Sequence, residues 1–303
     1  PAAGDGNGQG VRIAPGGADE EIPMRAAIDA RHRDEVARLE RTEFDGAPSL
    51  WAAIRSEAER LAAEEPILGS FFHAAILNHE DLGAALSFHL ANKLDSVVLP
   101  AMLIREVVHE AMASDPLILK AAEIDIIATR TRDPACDHFA TPFLYYKGFH
   151  ALQAYRVAHW LWQQDRRPLA TFLQNQVSAS LGVDIHPAAT IGSGIMLDHA
   201  TGIVIGETSV VDDDVSILHS VTLGGTGKVS GDRHPKIRHG VLLSAGAKII
   251  GNIVVGEGAK VGAGSVVLED VPPHVTVAGV PARIVGRPAC ESPALDMNQS
   301  LES

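Results

Sequence analysis

Apolar residues recur at helical spacing up to about residue 181. One stripe follows Ser49 and another follows Asp81, both residue types that cap helix N-termini, and a third follows Pro100. The stripes are Leu50, Ile54 and Leu61; Leu82, Leu86, Leu90 and Leu94; and Leu103, Val107 and Ala111. Further helices could begin at Pro66, Pro116, Pro142 and Pro168, because a first-turn proline lacks only an N–H that would be unpaired anyway. The pattern predicts a bundle of about seven or eight helices that ends near Gly182.

From Asp184 onward, apolar positions recur every six residues instead. The second residue of each six is aliphatic in six of the first seven cases: Ile185, Ile191, Leu197, Ile203, Ser209, Val215 and Val221. The pattern returns at Val241, two positions out of phase with the count of six that starts at Ile185. Residues 224–240 are therefore expected to loop out. A period of six with one small or aliphatic inward position is typical of a parallel β-helix with three short strands per coil.

The aromatic residues separate the two halves of the chain. All 14 lie at or before Phe172. Their absence from the second half agrees with a β-helix, whose narrow interior holds aliphatic side chains and no rings. We predict an α+β chain, with an all-α domain over residues 22–181 and a left-handed parallel β-helix of hexapeptide repeats over residues 182–287, from which the loop 224–240 protrudes. Residues 288–303 are expected to form a flexible C-terminal tail, and residues 1–21 a disordered tail or a non-native segment.

Charge and composition narrow the possible partners. The formal net charge of −13 argues against nucleic acid or an anionic membrane as the main partner. No apolar run approaches the roughly 20 residues that a membrane span needs. The two cysteines, Cys136 and Cys290, are far apart, so neither a disulfide framework nor a thiolate metal site is expected. With no signal-peptide pattern, we expect a cytoplasmic protein that binds no metal.

Candidate chemistry first appears where Asp198 and His199 stand in the sequence MLDHAT. Asp184 lies fifteen residues earlier, and Glu207 closes the sequence GIVIGE. If a coil takes about 18 residues and the coils stack about 4.8 Å apart, Asp184 and His199 should lie on adjacent rungs near one corner. The carboxylate could then orient the imidazole of a general base. The alternative is a solvated histidine in a turn.

The predicted loop, GGTGKVSGDRHPKIRHG, concentrates positive charge in a protein of opposite net charge. Its basic residues and histidines are Lys228, Arg233, His234, Lys236, Arg238 and His239, against one acid, Asp232. Such a loop suits a carboxylate or a phosphate, or is simply solvated. Asp133 and Pro134 after TRT indicate a turn at a helix end.

Four segments carry a resemblance to a known family: TRDPACDHFATPFLYYKGFHALQAYR, VDIHPAATIGSGIMLDHATGIVIGET, SVTLGGTGKVSGDRHPKIR and VPARIVG. Over roughly residues 45–297, the chain resembles the serine acetyltransferases, hexapeptide-repeat enzymes that open cysteine biosynthesis. The resemblance implies transfer of an acetyl group from acetyl-CoA to the hydroxyl of L-serine, which gives O-acetylserine and CoA. Acetyl-CoA would be a co-substrate, and no metal is implied.

The resemblance also assigns roles to residues. His199 becomes the general base, oriented by Asp184. The residues expected to bind the amino acid are Asp133, Asp198, Arg233 and His234, with Glu207 in a supporting position. The residues expected to line the CoA groove are Thr226, Ala245, Gly246, Lys260 and Ala263.

Partners follow from the same resemblance. It implies homotrimers with sites between neighbouring β-helices, two trimers joined through their helical domains, and inhibition by L-cysteine at the serine site. Family members bind O-acetylserine sulfhydrylase through a tail that ends in Ile, whereas this sequence ends Leu301-Glu302-Ser303, so that partner stays open. The alternatives are a hexapeptide acetyltransferase for a sugar or another hydroxyl acceptor, a carbonic anhydrase with three zinc-binding histidines, and a non-enzymatic scaffold.

Overall fold

A computed structural model describes residues 49–227 and 230–301 of the chain. The predicted tail 1–21, the first part of the predicted helical domain, Lys228 and the last two residues lie outside the described residues. Within the described ranges, no helix is both long and apolar enough to span a bilayer.

Eight α-helices precede the first strand in the described part of the chain. They are α1 (Leu50–Glu64), α2 (Gly69–Phe72), α3 (Leu82–Leu94), α4 (Ala101–Ser114), α5 (Pro116–Arg132), α6 (Ala140–Tyr145), α7 (Lys147–Gln163) and α8 (Arg167–Leu181), and a 3₁₀ turn (Pro66–Leu68) and a π turn (His73–Leu77) flank α2. The predicted caps are confirmed, since Ser49 accepts from the Ala52 N–H and Asp81 from the Ala84 N–H. Helix α8 ends at Gly182, whose φ of +67° suits glycine.

Short strands then wind into a triangular β-helix, which confirms the predicted fold class. Their bounds are β1 (Val183–Ile185), β2 (Thr190–Ile191), β3 (Met196–Asp198), β4 (Ile203–Ile205), β5 (Val210–Val211), β6 (Ser216–Leu218), β7 (Thr222–Gly224), β8 (Lys236–Ile237), β9 (Leu242–Leu243), β10 (Lys248–Ile250), β11 (Val254–Val255), β12 (Lys260–Val261), β13 (Val266–Val267), β14 (Thr276–Gly279) and β15 (Ala282–Gly286). The three faces are the parallel sheets β1-β4-β7-β10-β13, β2-β5-β8-β11 and β3-β6-β9-β12-β14, and β15 adds antiparallel to β14. A short helix α9 (Pro293–Asp296) follows.

Coil length is not constant, and this changes the register that the sequence predicts. Val183 pairs with Ile203 on the next coil, whereas Val204 pairs with Thr222, so the first coil is two positions longer than the second. The two additional residues fall at the corner that holds His199 and Ala200, both of which have positive φ. After Leu197, the residue that takes the place of Ile185 on the next coil is therefore Ile205, two positions later than the six-residue count places it. The counted residue, Ile203, is buried as well, because alternate residues of one strand face the same way.

The loop is shorter than the interruption of the pattern suggested. Ser216 on β6 pairs with Leu242 on β9, so this coil is eight positions longer than the one from Val204 to Thr222. Lys236 and Ile237 already form strand β8, which pairs with β5 and β11. Residues 225–227 and 230–235 therefore leave the coil, within the predicted range of 224–240.

Candidate active site

His199 projects from a corner of the β-helix, with 76% of its side chain exposed. The corner is tight, since the Ala200 N–H donates to the Asp198 carbonyl at 2.5 Å and the Thr201 N–H to the His199 carbonyl at 2.7 Å. The Asp198 carboxylate lies 3.8 Å from His199 Nε2. The fold thus presents an imidazole to solvent with a carboxylate beside it.

Asp133 from the helical domain faces the same space. It ends helix α5, where one carboxylate oxygen accepts from the Ala135 N–H at 2.8 Å and the other from the Tyr146 hydroxyl at 2.9 Å. Burial raises the pKa of Asp198, and the nearby charge of Asp133 adds to this effect, while His199 opposes it. Two neighbouring carboxylates create a negative field that suits an ammonium group.

A cavity of about 800 Å³ collects these side chains between the helical domain and the β-helix. We call it the His199 pocket, defined by Asp133, Tyr146, Lys147, Asp198 and His199. Helix α7 approaches strand β3 closely at Gly148, where any Cβ would overlap the Leu197 carbonyl oxygen. Glycine at this position therefore allows the start of α7 to close one side of the pocket.

A second group of charged side chains lies at another corner of the β-helix. We call it the Arg233 cluster, defined by Asp184, His186, Glu207, Arg233 and His234. Arg233 donates to the Glu207 carboxylate at 2.6 Å and lowers its pKa. His234 Nδ1 lies 2.9 Å from the Thr208 hydroxyl, and burial followed by the charge of Arg233 lowers the pKa of His234. The cluster presents a guanidinium and an imidazole that suit a carboxylate ligand.

The expected pairing of Asp184 with His199 does not form within one chain. No hydrogen bond or ion pair joins the two in the part of the chain that the structure describes. Asp184 lies on β1 opposite Val204 and accepts from the Gln174 side chain at 2.7 Å. The segment from Asp184 to His199 falls short of the full first coil, so the two residues occupy different positions around the same coil.

Three of the five residues predicted to line a CoA groove lie below His199 on the same corner. Backbone hydrogen bonds connect successive coils there, from Ser220 N to Thr201 O at 2.8 Å, from Gly246 N to His219 O at 2.9 Å, and from Gly264 N to Ala245 O at 2.8 Å. We call this corner the His199 edge, and its residues are 199–202, 219–220, 245–246 and 263–264. The edge spans three rung spacings of about 4.8 Å, about 14 Å from His199 to Ala263, and Ala245, Gly246 and Ala263 give its far end a wall of small side chains.

The other two predicted CoA residues lie elsewhere. Thr226 is exposed at the start of the loop and lies near Gly251. Lys260 on β12 is buried under the C-terminal segment, and its ammonium donates to the carbonyls of Asn298, at 3.1 Å, and of Ser300. Burial lowers the pKa of Lys260. Neither side chain reaches the His199 edge of the same chain.

The C-terminal segment returns to the same region. Helix α9 is anchored by the Ser216 hydroxyl, which donates to the Ala294 carbonyl at 2.8 Å. Met297 and Gln299 then line the cavity that contains the His199 pocket. Part of the predicted flexible tail 288–303 is thus docked against the β-helix in this structure.

Sequence reasoning did not single out Tyr146, Lys147, His186 or His219. Tyr146 and Lys147 lie inside a quoted motif, but nothing in the pattern marked them as neighbours of Asp133 and His199. His219 follows His199 at the same separation as Ile203 follows Val183, which is one full turn of the first coil. The correct coil length would therefore have identified it.

Comparisons with known proteins bear on both halves of the chain. The family model "Serine acetyltransferase, N-terminal" matches residues 50–154, and "Bacterial transferase hexapeptide (six repeats)" matches residues 234–269. A curated relative, the serine acetyltransferase of Salmonella typhimurium, is 68% identical over 250 residues, which cover 82% of this chain and 92% of the relative.

Solved structures of serine acetyltransferases are similar over most of the chain. A complex with cysteine has a TM-score of 0.81 and 60% identity, and the match covers 83% of this chain and 98% of that one. A complex with CoA has a TM-score of 0.76 and 60% identity, and the match covers 78% and 98% of the two chains. Identity of this extent, across the helical half and the β-helix together, means that the chain belongs to the serine acetyltransferase family of acyltransferases.

Proposed function

We propose that this protein transfers the acetyl group of acetyl-CoA to the hydroxyl of L-serine, which gives O-acetylserine and CoA, as the first step of cysteine biosynthesis. The observation that carries the proposal is the His199 pocket, where an exposed imidazole stands beside two carboxylates at the head of the His199 edge. The names of the relatives support serine as acceptor, and the CoA complex of a relative supports acetyl-CoA as donor.

The chemistry assigns each group a task. A serine hydroxyl is a weak nucleophile, so His199 removes its proton as the oxygen attacks the thioester carbonyl. Asp133 and Asp198 hold the ammonium group of serine and thereby aim its hydroxyl at His199. When the tetrahedral intermediate collapses, the C–S bond breaks, and the imidazolium returns the proton to the sulfur of CoA.

The carboxylate of serine needs a cationic partner. Of the two cations among the described residues that line the cavity, Arg132 already donates to Asp214 and to the Gly194 carbonyl, and Lys147 is a point charge without a bidentate fork. Arg233 and His234 suit this role, yet they lie in the Arg233 cluster at another corner of the β-helix. We infer that the protein forms a homotrimer in which the Arg233 cluster of one subunit meets the His199 pocket of the next. Asp184 would then orient His199 across the subunit boundary.

Assembly can extend further through the helical domain. Ile67, Val97, Val98 and Met102 expose 85%, 103%, 79% and 70% of their surfaces there. Val97, Val98 and Met102 stand within one segment of six residues, and a patch of large exposed apolar side chains is typical of an interface. This supports a dimer of trimers joined through the helical domains.

Cysteine differs from serine in one atom, sulfur in place of the hydroxyl oxygen. The same carboxylates and the same guanidinium would therefore bind its ammonium and carboxylate groups. The cysteine complex of a relative supports this reading. We propose that L-cysteine inhibits the enzyme by competing with L-serine.

The proposed reaction predicts that purified protein releases free CoA thiol from acetyl-CoA when L-serine is present. The measurement compares L-serine with D-serine, L-threonine, glucose and buffer alone, and O-acetylserine is identified by mass spectrometry. Release that depends on L-serine and yields O-acetylserine supports the proposal. Release that depends on glucose instead would leave the fold intact and make the acceptor a sugar.

A shared site predicts complementation between two inactive variants. His199→Ala destroys the pocket and Arg233→Ala destroys the cluster, so each homotrimer should be nearly inactive. When the two variants are co-expressed in equal amounts, about one quarter of the sites combine an intact pocket with an intact cluster. Activity should therefore return to about a quarter of that of the wild type.

The control co-expresses His199→Ala with an Asp198→Ala variant, whose damage falls in the same pocket. No site in that mixture has an intact pocket, so activity should stay low. Equal recovery in both mixtures, or recovery in neither, would contradict a site shared between subunits.

A further inference from the structure

His219 occupies the rung of the His199 edge directly next to His199. The two ring centroids lie 6.0 Å apart, with an angle of 75° between the ring planes, so one ring presents its edge to the other. His219 is also near Asp198, since a positive charge on its ring would lower the pKa of that carboxyl. His219 is half-buried and belongs to the same wall as Ala245 and Ala263. None of the roles proposed above uses it.

The hydrogen bonds around His219 indicate which nitrogen carries its proton. Its Nδ1 is enclosed by the protein and has no hydrogen-bond partner among the described residues. A buried N–H without an acceptor is costlier and rarer than a buried acceptor without a donor. The neutral ring therefore keeps Nδ1 unprotonated and carries its proton on Nε2, which a ligand on the His199 edge can meet.

Two other polar side chains on this part of the His199 edge make hydrogen bonds within the protein. The Ser220 hydroxyl donates to the Thr201 carbonyl at 3.4 Å, and the Thr201 hydroxyl accepts from Lys147. Further along the edge, Ala245, Gly246 and Ala263 bring no polar side chain. His219 is thus the side chain on the neighbouring rung that can offer an N–H to a bound ligand.

The geometry of the proposed reaction places the thioester of acetyl-CoA close to His219. The serine hydroxyl must lie about 2.6–3.2 Å from the nitrogen of its base, and the thioester carbon about 3–3.5 Å from that hydroxyl. A CoA arm that runs along the small residues of the edge must pass His219 to bring its thioester to His199. The carbonyl oxygen then falls within about one rung spacing, about 4.8 Å, of the base.

We propose that His219 is a further catalytic residue, whose Nε2–H donates a hydrogen bond to the thioester carbonyl oxygen of acetyl-CoA. This inference rests on the proposed function. The bond strengthens as serine attacks and the oxygen becomes an anion, and His219 transfers no proton. His219 therefore stabilises the oxyanion, while His199 carries the proton.

Two substitutions separate the donor from the bulk of the ring. His219→Leu keeps an apolar side chain without a donor, and His219→Gln keeps an N–H near the position of Nε2. We expect His219→Leu to lower kcat by about 10²–10³-fold, and His219→Gln to stay within about tenfold of the wild type. The KM for L-serine should change less than about threefold in both, because His219 does not bind serine. A wild-type kcat in His219→Leu, or an equal loss in both variants, would overturn the proposal.

A vibrational measurement tests the same contact without any acceptor. Acetyl-CoA labelled with ¹³C at the carbonyl is bound to each protein, and the carbonyl stretch is recorded by difference infrared spectroscopy. We expect the band to shift to lower frequency in the wild type and in His219→Gln, but not in His219→Leu. An unshifted band in the wild type overturns the proposal even if His219→Leu fails to fold. A shift that depends on His219 in a protein that does not acetylate serine would refute the proposed acceptor alone.

Discussion

We expect His199→Ala to lower the kcat for serine-dependent release of CoA by about 10²–10⁴-fold, while the KM values for L-serine and acetyl-CoA stay within about threefold. The loss is expected in kcat because the imidazole acts on the proton that leaves during attack. Binding should persist because, in the proposed mechanism, Asp133 and Asp198 hold the amino acid and the small residues of the His199 edge hold the CoA arm. The measurement is steady-state kinetics with both substrates varied.

The fold should not suffer from this substitution, since 76% of the His199 side chain is exposed. A matched control is His239→Ala, which removes a half-buried histidine 4.0 Å from Asp214, outside both the His199 pocket and the Arg233 cluster. Its kcat should stay within about twofold of the wild type. If His199→Ala keeps a wild-type kcat, or if His239→Ala loses as much, His199 is not the general base.

The repeat allowed much of the fold to be predicted from the sequence. A β-helix with three strands per coil has one inward aliphatic position in six residues, and this constraint is visible in the spacing of Ile185, Ile191 and Leu197. Helix starts were equally visible, because Ser49 and Asp81 cap through local hydrogen bonds that depend on the next few residues.

The register at His199 could not be predicted in the same way. Positive φ is usually marked by glycine, but here His199 and Ala200 adopt it with φ of 54° and 57°. The tertiary structure holds them there, since Ala200 is fully buried and its N–H donates to the Asp198 carbonyl. A count of six passes through this corner without detecting the two added residues. Asp184 was expected beside His199 because a coil of about 18 residues was assumed, whereas the residue one turn above Asp184 is Val204, five positions after His199.

The sequence pattern also did not predict that the candidate site is divided between two corners of the β-helix. The motifs that contain His199 and Arg233 follow each other along the chain and suggest one site. In the structure, the loop that carries Arg233 leaves the β-helix after β7, whereas His199 follows β3. The corner that a residue occupies depends on coil lengths, and these became known only from the strand pairing.

A buried ion pair joins the helical domain to the first coil of the β-helix. Asp125 on α5 has no exposed surface, and its carboxylate accepts from Arg156 at 2.7 Å and from Gln153 at 2.9 Å. Its other oxygen accepts from the Ile195 N–H at 2.9 Å, and Arg156 also donates to the Gly192 carbonyl at 2.8 Å. One carboxylate thus connects α5, α7 and the β-helix.

Asp125→Ala should lower the free energy of unfolding by about 3–5 kcal/mol, because it removes the buried carboxylate to which the guanidinium of Arg156 donates. The double variant Asp125→Leu with Arg156→Met removes both charges and should lose less than Asp125→Ala. Urea unfolding is measured at one protein concentration, since assembly contributes to the apparent stability. The control is Glu110→Ala, which breaks an exposed 2.9 Å pair with Arg166 and should cost at most about 1 kcal/mol.

Asp125→Ala should also affect the two substrates differently. Helix α5 carries Asp125, then Arg132, which donates to the Gly194 carbonyl at 2.8 Å, and ends at Asp133 in the His199 pocket. Looser docking of α5 should therefore raise the KM for L-serine at temperatures where the variant is folded. The KM for acetyl-CoA should change little, because the His199 edge belongs to the β-helix alone.

A loss of stability with both KM values unchanged would mean that Asp125 stabilises the domain contact without positioning Asp133. A change in unfolding free energy no larger than that of Glu110→Ala would refute the buried pair as the main connection between the two halves.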